Sequence, residues 1–162
     1  MQYVKDFQHL KVFRGLSEIQ IVNLNAVLKL HRFLDQEIIF NQGDPAWYLY
    51  ILLDGEVSIR FKPYDGNALT IAKIIPGGVF GWSAALGREQ YTSVAISSLE
   101  SSVFSISKLN LHKICMLENE TGIIFLENLT SVIAARLNQN HSQILKILTR
   151  ASFAKLGEES KL

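Results

Sequence analysis

The chain has 162 residues, of which 48% are hydrophobic and 19% are charged. This length suits one domain with a covered core rather than two, and the composition excludes a disordered chain. With 16 Lys and Arg against 15 Asp and Glu residues, the net charge is only +1, so no overall field would draw the chain to nucleic acid or to an anionic membrane.

The first thirty residues predict a helix that leads into the domain. Ser17, between Gly15 and Glu18, is a suitable N-cap for it. The positions that recur at helical spacing are Leu16, Ile19, Val22 or Asn23, Ala26, Val27 and Leu30.

From Arg32 to about Ser105 the sequence predicts short β-strands. Turn-forming combinations such as Gly43-Asp44-Pro45 and Asp54-Gly55 separate them. Parallel strands would need helical crossovers, for which this spacing leaves no room. The predicted fold class is therefore α+β, with an antiparallel β-roll, or jelly roll, over about residues 32–106. The predicted strands are 36–41, 46–53, 56–61, 68–75, 92–97 and 101–106.

Two helices are predicted after the roll, a short one over 109–117 and a long one over about 118–151. A second apolar set on the long helix, which includes Leu129 and Val132, lies off its main seam, so one face can cover the roll while the seam meets another chain. A helix packed only on its own domain and a parallel homodimer both stay open, and we favour the homodimer. The heptad seam consists of Leu126, Thr130, Ile133, Leu137, Asn140, Ile144, Ile147 and Ala151.

Residues 1–151 are thus predicted to form a single domain, followed by a frayed tail at 152–162. The single cysteine, Cys115, cannot form an intrachain disulfide, and one thiol is too few for a cysteine-based metal site. The N-terminus carries Lys5 and Asp6 where a signal peptide would place its apolar run. A cytoplasmic protein without a membrane partner is expected.

Several short motifs occur in a fixed order along the chain. Phe13-Arg14-Gly15-Leu16-Ser17 precedes the first helix, Asn41-Gln42-Gly43-Asp44-Pro45 forms a turn, Asp54-Gly55-Glu56-Val57 forms a hairpin, and Phe80-Gly81 precedes the helical pair. In this order and spacing, the motifs resemble the cyclic-nucleotide-binding domain family, in particular the effector domain of catabolite activator protein-like regulators. The resemblance spans Phe13 to about Leu148.

The segment from Gly77 to Val94 is similar to the phosphate-binding cassette of that family. In the family, a helix N-terminus and an Arg hold the cyclic phosphate, and a Glu accepts a hydrogen bond from the ribose. Here Trp82 stands at the Glu position and Tyr91 at the Arg position. The resemblance implies a ligand pocket formed by Phe80, Gly81, Trp82, Ser83, Ala84, Ala85, Arg88, Tyr91, Thr92 and Ser93.

The two replacements remove the charge that would hold a cyclic nucleotide. Because hydrogen bonds to charged groups contribute roughly 1.5–3 kcal/mol each, their loss should weaken cAMP binding by on the order of a hundredfold or more. Ser83, Ala84 and Ala85 are expected to start a short helix that still offers backbone N–H groups to an anion. Arg88 is expected in a solvated loop rather than as a substitute cation.

Trp82 has two interpretations that stay open. It stacks on a flat ligand ring, or it fills the vacated pocket, which we favour because burial of an aromatic ring needs no partner. On the long helix, Ile133, Leu137, Asn140, His141 and Ile144 are predicted to border the pocket or the dimer interface, with His141 at the surface and Asn140 fixing the register.

Two other classes of function are less well supported. An enzyme or a metal site is not expected, because the four histidines lie on separate elements without ligand spacing and no nucleophile motif occurs. A helix-turn-helix is not expected, because only about ten residues follow Ala151, so no direct nucleic-acid partner is predicted.

The sequence therefore predicts a non-enzymatic regulatory module without a metal or cofactor. Its ligand would be an unidentified small anionic or nucleotide molecule, or none, and its partner would be a second copy or another protein. A genuine cyclic-nucleotide-binding regulator with substitute contacts, and an interaction domain with a filled pocket, remain the alternatives.

Overall fold

The computed structural model of the protein describes residues 8–64, 66–117 and 120–138. Two antiparallel sheets of four strands each form the β-roll, so the predicted α+β fold class is confirmed. The first sheet has the order β1 (Lys29–Phe33), β8 (Ser101–Ser107), β3 (Tyr48–Asp54) and β6 (Val79–Phe80). The second has the order β2 (Ile38–Phe40), β7 (Val94–Ser97), β4 (Val57–Phe61) and β5 (Leu69–Ile74).

The first sheet is buried on both faces, as strand β3 shows. Leu49, Ile51 and Leu53 belong to a core that the helices cover, whereas Tyr50 and Leu52 belong to a core shared with the second sheet. This alternation follows from the two-residue period of a strand. The molecule therefore has three layers, with the helices on one side of the first sheet and the second sheet on the other.

The helices pack on the outer face of the first sheet. A short 3-10 turn (Lys11–Phe13) precedes helix α1 (Glu18–Val27), and α2 (Lys108–Leu117) leads to α3, which is helical over 120–138. Ser17 caps α1 as predicted, because its hydroxyl accepts a hydrogen bond from the Gln20 N–H at 3.4 Å and the Gln20 side chain accepts one from the Ser17 N–H at 2.8 Å.

The structure corrects the prediction for the N-terminal helix. Ile19 and Val22 are 72% and 60% exposed, whereas Ile21 and Leu24 are buried. Leu30 is not helical but lies in β1, opposite Phe104 of β8. Helix α1 ends because the following residues adopt extended backbone and pair with β8, and this tertiary pairing overrides the local helical spacing.

Other differences concern short or distal segments. The two-residue strand β6 was not predicted, and the 36–41 strand is reduced to Ile38–Phe40. The long helix was predicted over 118–151, and the residues beyond 138, among them Asn140, His141 and Ile144, lie outside the described residues. No helix in the described ranges is long and apolar enough to span a bilayer.

Candidate functional site

The cassette begins at Gly81, directly after strand β6. Gly81 has a φ of +71°, and a Cβ atom there would lie 2.9 Å from both the Tyr48 carbonyl oxygen and the Tyr50 ring. Because such a contact is shorter than real side chains tolerate and positive φ is costly outside glycine, only Gly81 lets the cassette approach β3 this closely.

The short helix predicted to start at Ser83, Ala84 and Ala85 is instead a run of turns over residues 82–87. The Ala84 N–H donates to the Gly81 carbonyl at 3.2 Å, and the Arg88 N–H donates to the Ser83 carbonyl at 3.0 Å. Ser83 and Ala84 are buried, and Ala85 is half-buried. The turn therefore uses the Ala84 donor within the cassette, although this donor was expected to face an anion.

Tyr91, at the position where the family has Arg, points into the roll and is 4% exposed. Its hydroxyl donates to the Tyr48 carbonyl at 2.7 Å and accepts from the Tyr48 N–H at 3.0 Å. Its ring stacks on Phe40 with 3.8 Å between centroids and 16° between planes. Phe40 in turn stacks on Tyr50 and Phe80, at centroid distances of 5.7 and 6.2 Å. Tyr91 thus completes a buried aromatic cluster.

This cluster leaves almost no space in the cassette pocket. The cavity that Phe40, Phe80, Gly81, Ser83 and Tyr91 border has a volume of about 10 Å³. That is no more than the space one water molecule occupies by the same measure, roughly 10–15 Å³. In this structure, side chains of the protein itself fill the place where the resemblance puts a ligand.

The aromatic cluster in the pocket is uncharged, although the guanidinium-bearing Arg136 also borders the cavity. Burial, with a smaller effect of the Tyr91 hydroxyl, raises the pKa of Tyr50 well above its usual value, and burial likewise raises the pKa of Tyr91. Both phenols therefore stay protonated at neutral pH. The cluster offers no fixed charge to a phosphate.

Trp82 borders this pocket without joining the aromatic stack around Tyr91. It is half-buried against the helix-covered core, and the guanidinium of Arg136 lies 5.0 Å from its ring centroid. Arg136 Nη1 also donates to the Val79 carbonyl at 3.1 Å, while its Nε is buried and has no hydrogen-bond partner. Burial lowers the pKa of the Arg136 guanidinium. We therefore describe Trp82 and Arg136 as a clasp between the cassette and α3.

Sequence reasoning missed Arg136, although a signal was available. Phe125 and Leu129 are buried and Val132 is packed against the same core, so the roll-facing stripe of α3 runs in steps of four and three. Four residues after Val132 this stripe reaches Arg136. An arginine that continues a buried stripe indicates a specific partner.

Two of the remaining predicted site residues, Arg88 and Thr92, border a surface groove of about 500 Å³ beside the closed pocket. Arg88 and Thr92 are exposed there, and Ser93 is half-buried beside the closed pocket. The groove joins the cassette to the seam of α3, and its lining consists of Trp82, Ser83, Leu86, Arg88, Thr92, Ile133 and Leu137. Within the described residues, no three His, Cys, Asp or Glu side chains lie close enough to hold a metal ion.

Comparisons with solved structures agree with this fold. A cyclic nucleotide-binding domain from Methylobacillus flagellatus superposes with a TM-score of 0.79 at 21% identity, covering 88% of this chain and 84% of that one. The regulatory subunit of a cAMP-independent protein kinase A from Trypanosoma cruzi, bound to guanosine, gives a TM-score of 0.67 at 17% identity, covering 88% of this chain and 50% of that one.

Sequence comparisons identify the family. A cAMP-dependent protein kinase regulatory subunit from Dictyostelium discoideum is 22% identical over 116 residues, and the match spans 70% of this chain but only 36% of that protein. The family model of the cyclic nucleotide-binding domain matches residues 30–118, which is more than half of the chain. The chain therefore belongs to the cyclic nucleotide-binding domain family.

Proposed function

We propose that the chain is a cytoplasmic, non-enzymatic regulatory module. Its own side chains close its nucleotide pocket, so that it does not bind cAMP with ordinary affinity. The observation that carries this proposal is the ring of Tyr91, stacked on Phe40 at 3.8 Å in a pocket of about 10 Å³. The lone thiol, Cys115, is in keeping with a reducing compartment.

A nucleotide would have to displace the Tyr91 ring before it could enter. This step breaks two hydrogen bonds to Tyr48 at about 1 kcal/mol each and one aromatic stack at about 1 kcal/mol. A total of about 3 kcal/mol reduces affinity by on the order of a hundredfold. The missing charged anchors at positions 82 and 91 weaken binding further. Arg136 borders the pocket, but its guanidinium already contacts Trp82 and the Val79 carbonyl, while its buried Nε has no hydrogen-bond partner among the described residues.

The module would signal through a homodimer formed along α3. Phe125 and Leu129 are buried against the roll, whereas Leu126 and Leu137 are 37% and 54% exposed on the predicted seam. Ile133, between them on the seam, is half-buried against the helix-covered core, so Leu126 and Leu137 are the exposed apolar side chains that a second chain would bury. Because Leu137 also borders the groove beside the cassette, a second copy packed on the seam would contact the cassette directly.

Calorimetric titration tests the closed pocket. The unmodified protein should give no heat with cAMP or cGMP up to millimolar concentration. The double variant Trp82→Glu, Tyr91→Arg removes the ring and returns both charges, and it should bind cAMP. A matched variant, Trp82→Gln with Tyr91→Leu, opens similar space without charge and should bind far more weakly. Micromolar cAMP binding by the unmodified protein would contradict the proposal.

A neutral nucleoside is the second candidate ligand, since it needs neither charged anchor. The loss of charge at Trp82 and Tyr91 favours it, and a similar structure, that of the Trypanosoma cruzi regulatory subunit, is bound to guanosine. Guanosine and adenosine therefore belong in the same titration. Saturable heat from a nucleoside, with none from cAMP, would replace the closed-pocket proposal with this one.

Light scattering tests the dimer separately. The unmodified protein should have the mass of two chains, and Leu137→Glu should convert it to one chain because the charge would be buried in the seam. Asn138→Glu places the same charge on the neighbouring exposed position and should leave the dimer intact. A monomeric unmodified protein at micromolar concentration would overturn this part of the proposal.

A further inference from the structure

A second, open groove of about 770 Å³ lies between α2, the cassette turn and the start of β3. Helix α2 contributes Leu109 to the lining, together with the set Lys108, Leu111, His112 and Cys115. The positions of this set are spaced by three, one and three residues, which places them on one face of the helix. The backbone N–H of Lys108 donates to the Trp47 carbonyl at 2.8 Å and joins the helix to the opposite wall.

The walls of this groove are largely apolar. Trp47 and Tyr48 are 62% and 37% exposed along its rim, Leu126 of α3 is 37% exposed, and the buried Leu111 lies at its base. Exposed aromatic and aliphatic side chains that border one depression indicate a binding surface rather than ordinary protein exterior. The volume falls within the range of about 300–1,000 Å³ that is typical of small-molecule sites.

The ammonium group of Lys108 has no carboxylate partner among the residues described for this largely apolar groove. Lys108 is half-buried, and within the described residues no hydrogen bond or ion pair engages its ammonium group. No Asp or Glu is among the residues that line the groove. A lysine held among apolar walls without a carboxylate is complementary to a ligand that brings its own single negative charge.

We propose that this groove binds a long-chain carboxylate. The hydrocarbon chain would lie along Trp47 and Tyr48 over Leu111, away from the seam of α3, and the carboxylate would accept a hydrogen bond from the Lys108 ammonium. This site is separate from the cassette pocket and does not rest on the function proposed above. It shares Ala84 and Ala85 with the cassette turn, so its occupant would contact the element that also faces α3.

Tryptophan fluorescence provides the first test, because the chain contains only two tryptophans. In a Trp82→Phe background, Trp47 is the sole reporter, and dodecanoate below its micelle concentration should change its emission saturably. Lys108→Gln should weaken dodecanoate by about twofold to fivefold, as expected for loss of a half-exposed ion pair. Lys113→Gln removes the same charge from an exposed position outside the groove and should have no effect.

The single thiol provides a second test in the unmodified protein. Cys115 is half-buried in the groove, and burial raises the pKa of its thiol, so a thiol reagent should label it slowly. Dodecanoate should slow the labelling further, with the same midpoint as the fluorescence change, and neutral dodecanol should protect less well.

Three results would overturn the proposal. The first is an absence of both the fluorescence change and the protection of Cys115. The second is an equal loss of dodecanoate affinity in Lys108→Gln and Lys113→Gln, because Lys108 would then act only through the net charge of the protein and not through a specific contact. The third is protection of Cys115 that rises with protein concentration in the absence of dodecanoate, because that would assign the groove to a second copy of the chain.

Discussion

Replacement of Tyr91 by phenylalanine separates the hydrogen bonds of this residue from its ring. The Tyr91→Phe variant keeps the stack on Phe40 but leaves the Tyr48 N–H and carbonyl without the hydroxyl that now binds both. Because both hydrogen bonds are partly buried, water can replace them only in part, and the free energy of unfolding should fall by about 2 kcal/mol. For a domain of this size, that corresponds to a Tm lower by about 4–8 °C.

Replacement by alanine removes the ring as well. Loss of a buried aromatic side chain typically costs about 3–5 kcal/mol because the cavity left behind collapses only in part. Tyr91→Ala should therefore be clearly less stable than Tyr91→Phe. Phenol at millimolar concentration should fill the new cavity and raise the Tm of Tyr91→Ala, while the unmodified protein should not respond.

Thermal and urea unfolding measure these differences, with Tyr64→Phe as the matched control. The Tyr64 side chain is fully exposed, so its hydroxyl should contribute nothing measurable to stability. If Tyr91→Phe and Tyr91→Ala both unfold within about 0.5 kcal/mol of the unmodified protein, as surface substitutions do, the ring of Tyr91 does not occupy the pocket and the reasoning is refuted.

Three further changes test neighbouring features. Arg136→Met should lower the Tm by a few degrees and speed hydrogen exchange in residues 120–138, whereas Arg88→Met should do neither; equal effects would refute the clasp. Gly81→Ala should destabilise the protein by at least about 1 kcal/mol more in urea unfolding than Gly87→Ala, since both have positive φ but only the first crowds its neighbours. The raised pKa of Tyr50 predicts that the free energy of unfolding falls as pH rises above about 10, where the unfolded phenol ionises and the folded one does not. Tyr50→Phe should flatten that fall in alkaline urea titrations, and an unchanged slope would contradict the burial of this phenol.

Much of the roll could be predicted from sequence because turn residues and two-residue alternation act locally. Gly43 and Gly55 both adopt positive φ at turns that separate predicted strands, and β3 and β4 lie within one or two residues of their predicted bounds. The cap of α1 by Ser17 is equally local. Strand β1 could not be predicted in the same way, since only its pairing with a strand about 75 residues away makes Leu30 extended.

The side-chain directions in the cassette could not be predicted from the sequence. The sequence identified Trp82 and Tyr91 as unusual, but which of them fills the pocket depends on the direction of each side chain. Tyr91 is directed inward by its two hydrogen bonds to Tyr48, and no pattern along the chain encodes that contact between residues 43 positions apart. Arg136 was not identified from the sequence, although its position continues the buried stripe of α3.

The closed pocket is most directly tested by a proton–proton nuclear Overhauser spectrum of the aromatic rings, recorded without ligand and again with millimolar cAMP. The stacked rings of Tyr91 and Phe40 should give strong cross-peaks in both spectra, because their centroids lie 3.8 Å apart. Disappearance of those cross-peaks when cAMP is added would show that the ring yields to the nucleotide and would contradict a pocket closed by the protein itself.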